Sequence, residues 1–146
     1  MGLSCNRFLV DTNIIIYTLQ GVKEVVEAMK GLEKDTIEIY YSTIIEAELF
    51  SFHALSKKQK VAIRKILNLG EIINVDSEIA LNAARLRALS KKGYNCKLRL
   101  PDAIIAATAF LYDAVLVTRN TQDFNHLEDR GLRLWNPHVS RSYMGE

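Results

Sequence analysis

The sequence predicts an α/β fold, a mostly parallel sheet with helices on both faces, and two observations carry that prediction. Short apolar or β-branched runs alternate with helix-period segments from one end of the chain to the other. No internal repeat, low-complexity tract or Pro/Gly-rich linker interrupts the rhythm, so its 146 residues read as a single domain, residues 1–146. A chain of this length buries about two thirds of its unfolded surface.

Each element has its own local signal. "RFLVD" is a short apolar strand that closes at Asp11, and "TNIIIYTL" continues as a helix. "VKEVVEAMKGLEK" spaces Val22, Val25, Val26 and Met29 at a helical period. The β-branched and aromatic run "TIEIYYS" predicts a strand, and "TIIEAELFSFHAL" a helix after it. Ser56 is placed to cap "KKQKVAIRKILNL", and "EIINV" follows as a strand. Asp76 is placed to cap "SEIALNAARLRALSKK", with Gly93 as the expected left-handed stop. Pro101 opens the helix "LPDAIIAATA", since proline is well tolerated in a first turn. "AVLVT" and "LRLW" complete the strands, and residues 136–146 are expected to form a loosely packed tail.

Composition narrows the function classes. With 49% hydrophobic and 25% charged residues the chain is ordinary for a globular protein. A net charge of +2 gives no global argument for nucleic acid, so any such argument rests on local patches. Cys5 and Cys96 lack metal-ligand spacing, which predicts reduced thiols rather than a disulfide or zinc site. The opening "MGLSCNRFLVDTN" lacks the apolar run of a signal peptide, and Asn6 stands where myristoylation requires Ser or Thr. No segment has the apolar length of a membrane span, and the expected compartment is the cytoplasm.

The carboxylates fall at particular places. In an open parallel sheet the functional crevice lies beyond the carboxyl ends of the strands, and Asp11 closes the first strand there. An N-cap would account for the same residue. In "STIIEAELF", Thr43 and Glu46 match a capping box, which gives Glu46 a structural task. Glu48 has none and falls among Ile44, Ile45, Phe52 and Leu55 on the apolar side of the helical wheel, a costly place for an unpaired charge. Asp102 stands in the first turn of an otherwise apolar helix, where the dipole is worth about 0.3–1 kcal/mol. In "VLVTRNTQDF" a polar loop with Thr118, Asn120 and Asp123 follows a strand; a capped turn would explain it too, with Asn120 as the cap and Asp123 facing back. Four carboxylates converging at one sheet edge stay ionised only with a counter-charge. A hard divalent cation, Mg²⁺ or Mn²⁺, is the natural one, and such clusters serve phosphodiester hydrolysis. No P-loop, Gly-rich fingerprint or H-E-x-x-H competes.

In order and spacing, "FLVDTNIIIY", "STIIEAELF", "LPDAIIAATA" and "LVTRNTQDF" resemble the PIN-domain ribonucleases, and within them the VapC toxins of toxin–antitoxin pairs. The likeness runs from about Arg7 to Asn136. It implies a three-layer α/β/α sandwich on a parallel sheet of about five strands, and a metal-dependent endoribonuclease. It implies further that Asp11, Glu48, Asp102 and Asp123 form the catalytic metal site, with Asp11 and Asp102 the principal ligands of Mg²⁺ or Mn²⁺. Thr12, Asn13, Thr118 and Asn120 would support them. One departure is Ser51-Phe52-His53, where such toxins often carry a glycine after "AEL".

An RNA substrate needs positive charge beside the acidic pocket. Arg99 and Arg119 neighbour the expected ligands, whereas Arg85, Arg87, Lys91, Lys92 and Lys97 also read as a solvated helix face and loop. The resemblance implies a homodimer and a small antitoxin protein, and "FSFHAL" offers aromatic surface for either. A housekeeping PIN-domain RNA-processing nuclease and a non-catalytic RNA- or protein-binding module are the competing readings. A haloacid-dehalogenase-like phosphatase needs an Asp where Asn13 stands, and a receiver domain needs a late lysine where Thr118 and Arg119 stand.

Overall fold

The computed structural model describes residues 6–140, 142 and 143. Five parallel strands, β1 (Arg7–Val10), β2 (Glu38–Ser42), β3 (Glu71–Ile73), β4 (Val115–Val117) and β5 (Leu134–Trp135), lie in the order β3-β2-β1-β4-β5. Leu9 in the central strand stands beside Tyr40 on one side and Leu116 on the other. Phe8, Leu9 and Val10 are all buried, as a strand covered on both faces requires. The helices are α1 (Thr12–Leu19), α2 (Lys23–Gly31), α3 (Thr43–Leu49), α4 (Lys57–Leu67), α5 (Ser77–Tyr94) and α6 (Leu100–Leu111). They form two groups, α1 against α2, α3 and α4, and α5 against α6, in the three-layer arrangement expected. The chain leaves β1 for β2 on one side and later returns for β4 on the other. That reversal of strand order, between β1 and β4, is where a doubly wound sheet opens a crevice.

Several boundaries depart from the sequence reading, each for a local reason. Helix α3 ends at Leu49, so "FSFHAL" is a turn. Ser51 bonds back to the Ala47 carbonyl at 2.5 Å and Ala54 takes a left-handed φ of 60°, which no helix continues through. Thr43 does not form a capping box. Ser42 caps α3 through the Ile44 amide, Thr43 accepts from the Val75 amide, and Glu46 pairs with Arg64 at 2.8 Å. Helix α5 runs past Gly93 to Tyr94, and Asn95, at φ 49°, supplies the left-handed stop that glycine was expected to supply. Helix α6 starts one residue before Pro101. The capping of α4 by Ser56, with Gln59 reciprocating, and of α5 by Asp76 agrees with the sequence.

The terminal segment is not loose over its described part. Trp135 Nε1 donates to the Ser140 carbonyl at 2.8 Å, Pro137 is buried, and His138 packs edge-on against Tyr17. Phe8 meets Trp135 and Tyr143 edge to face. Cys5 lies outside the described residues, and Cys96 is a free thiol. Among the described residues no helix is long and apolar enough to cross a membrane.

Candidate active site

The crevice between β1 and β4 is built on Asp11. Asp11 ends β1 and caps α1, its Oδ1 accepting from the Thr12 amide at 2.8 Å. Its Oδ2 accepts from Thr118 Oγ1 at 2.9 Å and Asn13 Nδ2 at 3.2 Å, while its own amide joins the Val117 carbonyl at 3.0 Å. Cap and site are therefore one arrangement: the residue that starts α1 is also stitched to β4. Thr118, fully buried, accepts from the Asn120 amide, and Asn13 Oδ1 accepts from the Arg119 amide. Asn120 acts through its backbone and makes no side-chain cap.

Glu48 reaches the same pocket from α3, where Thr12 Oγ1 donates to its Oε1 at 2.8 Å. It is half-buried and turned toward α1, whereas Glu46 faces Arg64. Asp102 lies in the first turn of α6 and Asp123 in a 3-10 turn (Thr121–Asp123) after β4. Neither carboxylate makes a hydrogen bond or ion pair with a described residue. A second 3-10 segment (Asn125–Arg130) is tied to α5 through His126, which meets the fully buried Ser90 at 2.8 Å.

The four carboxylates act on one another. Burial pushes the Asp102 carboxyl up to about 6; Asp11, Asp123 and Glu48 push the same way, and Arg99, at the N-cap of α6, pulls against them. Burial also raises Asp11, with Glu48 adding to it, while the bonds from Thr118, Thr12 and Asn13 favour its charged form. Carboxylates raised in this way destabilise the fold where they are forced to ionise. The penalty from Asp102 is present above about pH 6 and is relieved as pH falls below it. In EDTA at pH 8, Asp102→Asn should therefore stabilise the protein by about 1 kcal/mol, a figure discounted for partial exposure. Urea melts at pH 8 and pH 5 check this, and an equal effect at both pH values would contradict it.

The donor set suits a hard divalent cation: carboxylate oxygens, with those of Asp102 and Asp123 making no hydrogen bond or ion pair to a described residue. Among the described residues no three His, Cys, Asp or Glu side chains close into a ready-made cage.

Two contributors escaped the sequence reading. Tyr17 accepts from Arg119 Nη1 at 2.6 Å through its hydroxyl, and the guanidinium lies 4.9 Å from its ring centre. Asn136 Nδ2 reaches the Arg119 carbonyl at 3.4 Å. Tyr17 stands four residues after Asn13, on the same helix face, and that spacing was the available signal.

A doubly wound parallel sheet with acidic side chains gathered at its switch point defines the class, an α/β domain with an acidic crevice. The PIN domain matches residues 8–129, and the chain belongs to that family. It is 28% identical to "Ribonuclease VapC1" of Haemophilus influenzae over 132 residues, 88% of this chain and 97% of that protein. Among solved structures it is similar to a toxin–antitoxin complex from Klebsiella pneumoniae, with 33% identity, a TM-score of 0.71, and coverage of 92% of this chain and 98% of that one. It is also similar to VapBC2 from Rickettsia felis bound to a DNA fragment from its promoter, with 25% identity, a TM-score of 0.74, and coverage of 89% and 98%.

Proposed function

We propose that this chain is the toxin endoribonuclease of a toxin–antitoxin pair, hydrolysing RNA phosphodiester bonds with Mg²⁺ or Mn²⁺ held by Asp11, Glu48, Asp102 and Asp123. The observation that carries the reading is the placing of four carboxylates, from the end of β1, α3, α6 and the turn after β4, near enough to act on one another: burial first, and then Asp11, Asp123 and Glu48, push Asp102 up, with Arg99 opposing. A divalent ion held there would supply the missing counter-charge and the Lewis acidity for activating water and stabilising a leaving oxygen. The donors from Thr12, Asn13 and Thr118 favour the anionic form of Asp11 against its burial. Glu48, with one oxygen fixed by Thr12, keeps the other to accept a proton from the attacking water. Arg99 and Arg119 flank the pocket and bind the phosphates beside the cut.

The solved neighbours are toxin–antitoxin complexes, which supports an inhibitory protein partner here. A groove of about 440 Å³ between α1, α3 and α4 fits its apolar segment. Ile16, Leu19, Leu49, Phe52, Leu55 and Ile63 line that groove, and Phe52 is 52% exposed there. The family resemblance also implies a homodimer, which light scattering of the purified protein tests.

The deciding assay incubates purified protein with RNA in Mg²⁺, Mn²⁺ or EDTA. Cleavage in either metal and none in EDTA is expected. Cleavage that is undiminished in EDTA would sink the metal site. No cleavage, together with no thermal stabilisation by either ion, would favour a non-catalytic module.

A further inference from the structure

A second feature lies beyond the carboxylates, on the segment that leads to Asp102. A cavity of about 470 Å³ opens where α5 ends, lined by Arg87, Ala88, Lys91, Cys96, Lys97 and Leu98. Three of its six lining residues are cations and none is acidic. Arg87 and Lys91 share one face of α5 at a spacing of four, and Lys97 faces them from the loop beyond Asn95. Arg87 Nε is fixed by the Leu98 carbonyl at 3.0 Å, which pins the guanidinium at the cavity wall. All three side chains are exposed, and none forms an ion pair with a described carboxylate.

The helix dipole does not account for this convergence. Cations complement a helix C-terminus within its last turn, which Lys91 and Lys92 already occupy. Arg87 lies two turns inside the helix and Lys97 lies past its end. What the three share is a cavity in which like charges would repel unless an anion entered. From Lys97 the backbone runs through Arg99, the cap of α6, to Asp102. Five residues span at most about 18 Å, so the cavity is within a few phosphates of the acidic crevice along one strand.

We propose that Arg87, Lys91 and Lys97 form a phosphate-binding subsite for single-stranded RNA flanking the cut, on the Asp102 side of the crevice. The proposal rests on the ribonuclease reading and extends it from the reacting phosphate to its neighbours. The subsite contributes affinity through counterion release and takes no part in bond cleavage.

The test compares wild type with the double variant Lys91→Ala/Lys97→Ala, both shown folded by circular dichroism. Binding of a fluorescent single-stranded RNA is measured in EDTA at several salt concentrations. The slope of log affinity against log salt should fall by about 1.4, since each neutralised phosphate on a single strand contributes about 0.7. Lys57→Ala/Lys58→Ala, on α4, should keep the wild-type slope. In a Cys5→Ser chain, saturating RNA should slow alkylation of Cys96, which lines the cavity. An unchanged slope in the Lys91/Lys97 variant beside a steep wild-type slope overturns the subsite and leaves the nuclease standing. Absence of both RNA binding and cleavage in wild type removes the nuclease reading itself. Unchanged RNA affinity with weakened binding of polyglutamate assigns the cavity to an acidic protein segment and overturns the proposal.

Discussion

Asp11→Asn should abolish RNA cleavage, by on the order of 10³-fold, while leaving the protein folded. The magnitude follows from several kcal/mol of charge stabilisation at about 1.4 kcal/mol per tenfold. The substitution is chosen to separate charge from structure. Asparagine caps a helix as well as aspartate does, so α1 should still start at Thr12 through the same amide. The lost charge also removes a buried anion, which offsets the weakened contacts to Asn13 and Thr118. The melting temperature should therefore move little. Glu46→Gln is the matched control, because Glu46 shares α3 with Glu48 but faces Arg64 at the surface. Its cleavage rate should equal that of wild type. A folded Asp11→Asn protein that cuts RNA within tenfold of wild type would remove Asp11 from the chemistry.

The second large effect is on stability. Gly70 turns the chain from α4 into β3, and a Cβ there would be driven into the backbone carbonyl of Ile39 on β2 and against its side chain. Ile39 is itself paired with Phe8 of the central strand, so the obstacle is a backbone braced from behind. Gly70→Ala should destabilise the protein by about 3 kcal/mol, at the upper end for overpacking because no rotamer relieves it. For a domain of this size that lowers the melting temperature by about 6–12 °C. Gly31→Ala, at the end of α2 with nothing near the added methyl, should be neutral or slightly stabilising. Equal melting temperatures for the two variants would show that β2 and β3 are not packed as closely as described.

The architecture was legible because its signals are local and repeated. Strands covered on both faces read as unbroken apolar runs, and the capping chemistry at Ser56 and Asp76 marks helix starts directly. The choice of Glu48 over Glu46 rested on a helical wheel; in the structure both are half-buried and they differ in partner, Thr12 for Glu48 and Arg64 for Glu46. The capping box was misread because the pattern T-x-x-E does not say which residue stands at the cap. Ser42, the last residue of β2, took that place and left Thr43 free for Val75. The end of α5 was misplaced because Asn95, not a glycine, accepted the left-handed backbone, and α3 stops at Leu49, well before the left-handed Ala54. The roles of Tyr17 and Asn136 were hidden for a different reason. Each meets Arg119 across a long gap in sequence; helical spacing puts Tyr17 on the face of Asn13 but does not say which later residue it meets.

That last kind of contact has a consequence for the protein's synthesis. Asp11 is made well before Thr118, its partner 107 positions later, and before the Val117 carbonyl that holds its amide. A nascent chain still short of β4 has the first carboxylate, with Thr12 and Asn13 beside it, but neither the Thr118 hydroxyl nor the Val117 carbonyl that hold it in place. The acidic crevice is therefore assembled only after β4 and the turn carrying Asp123 have been made, and until then the growing chain, surrounded by RNA on the ribosome, has no finished site.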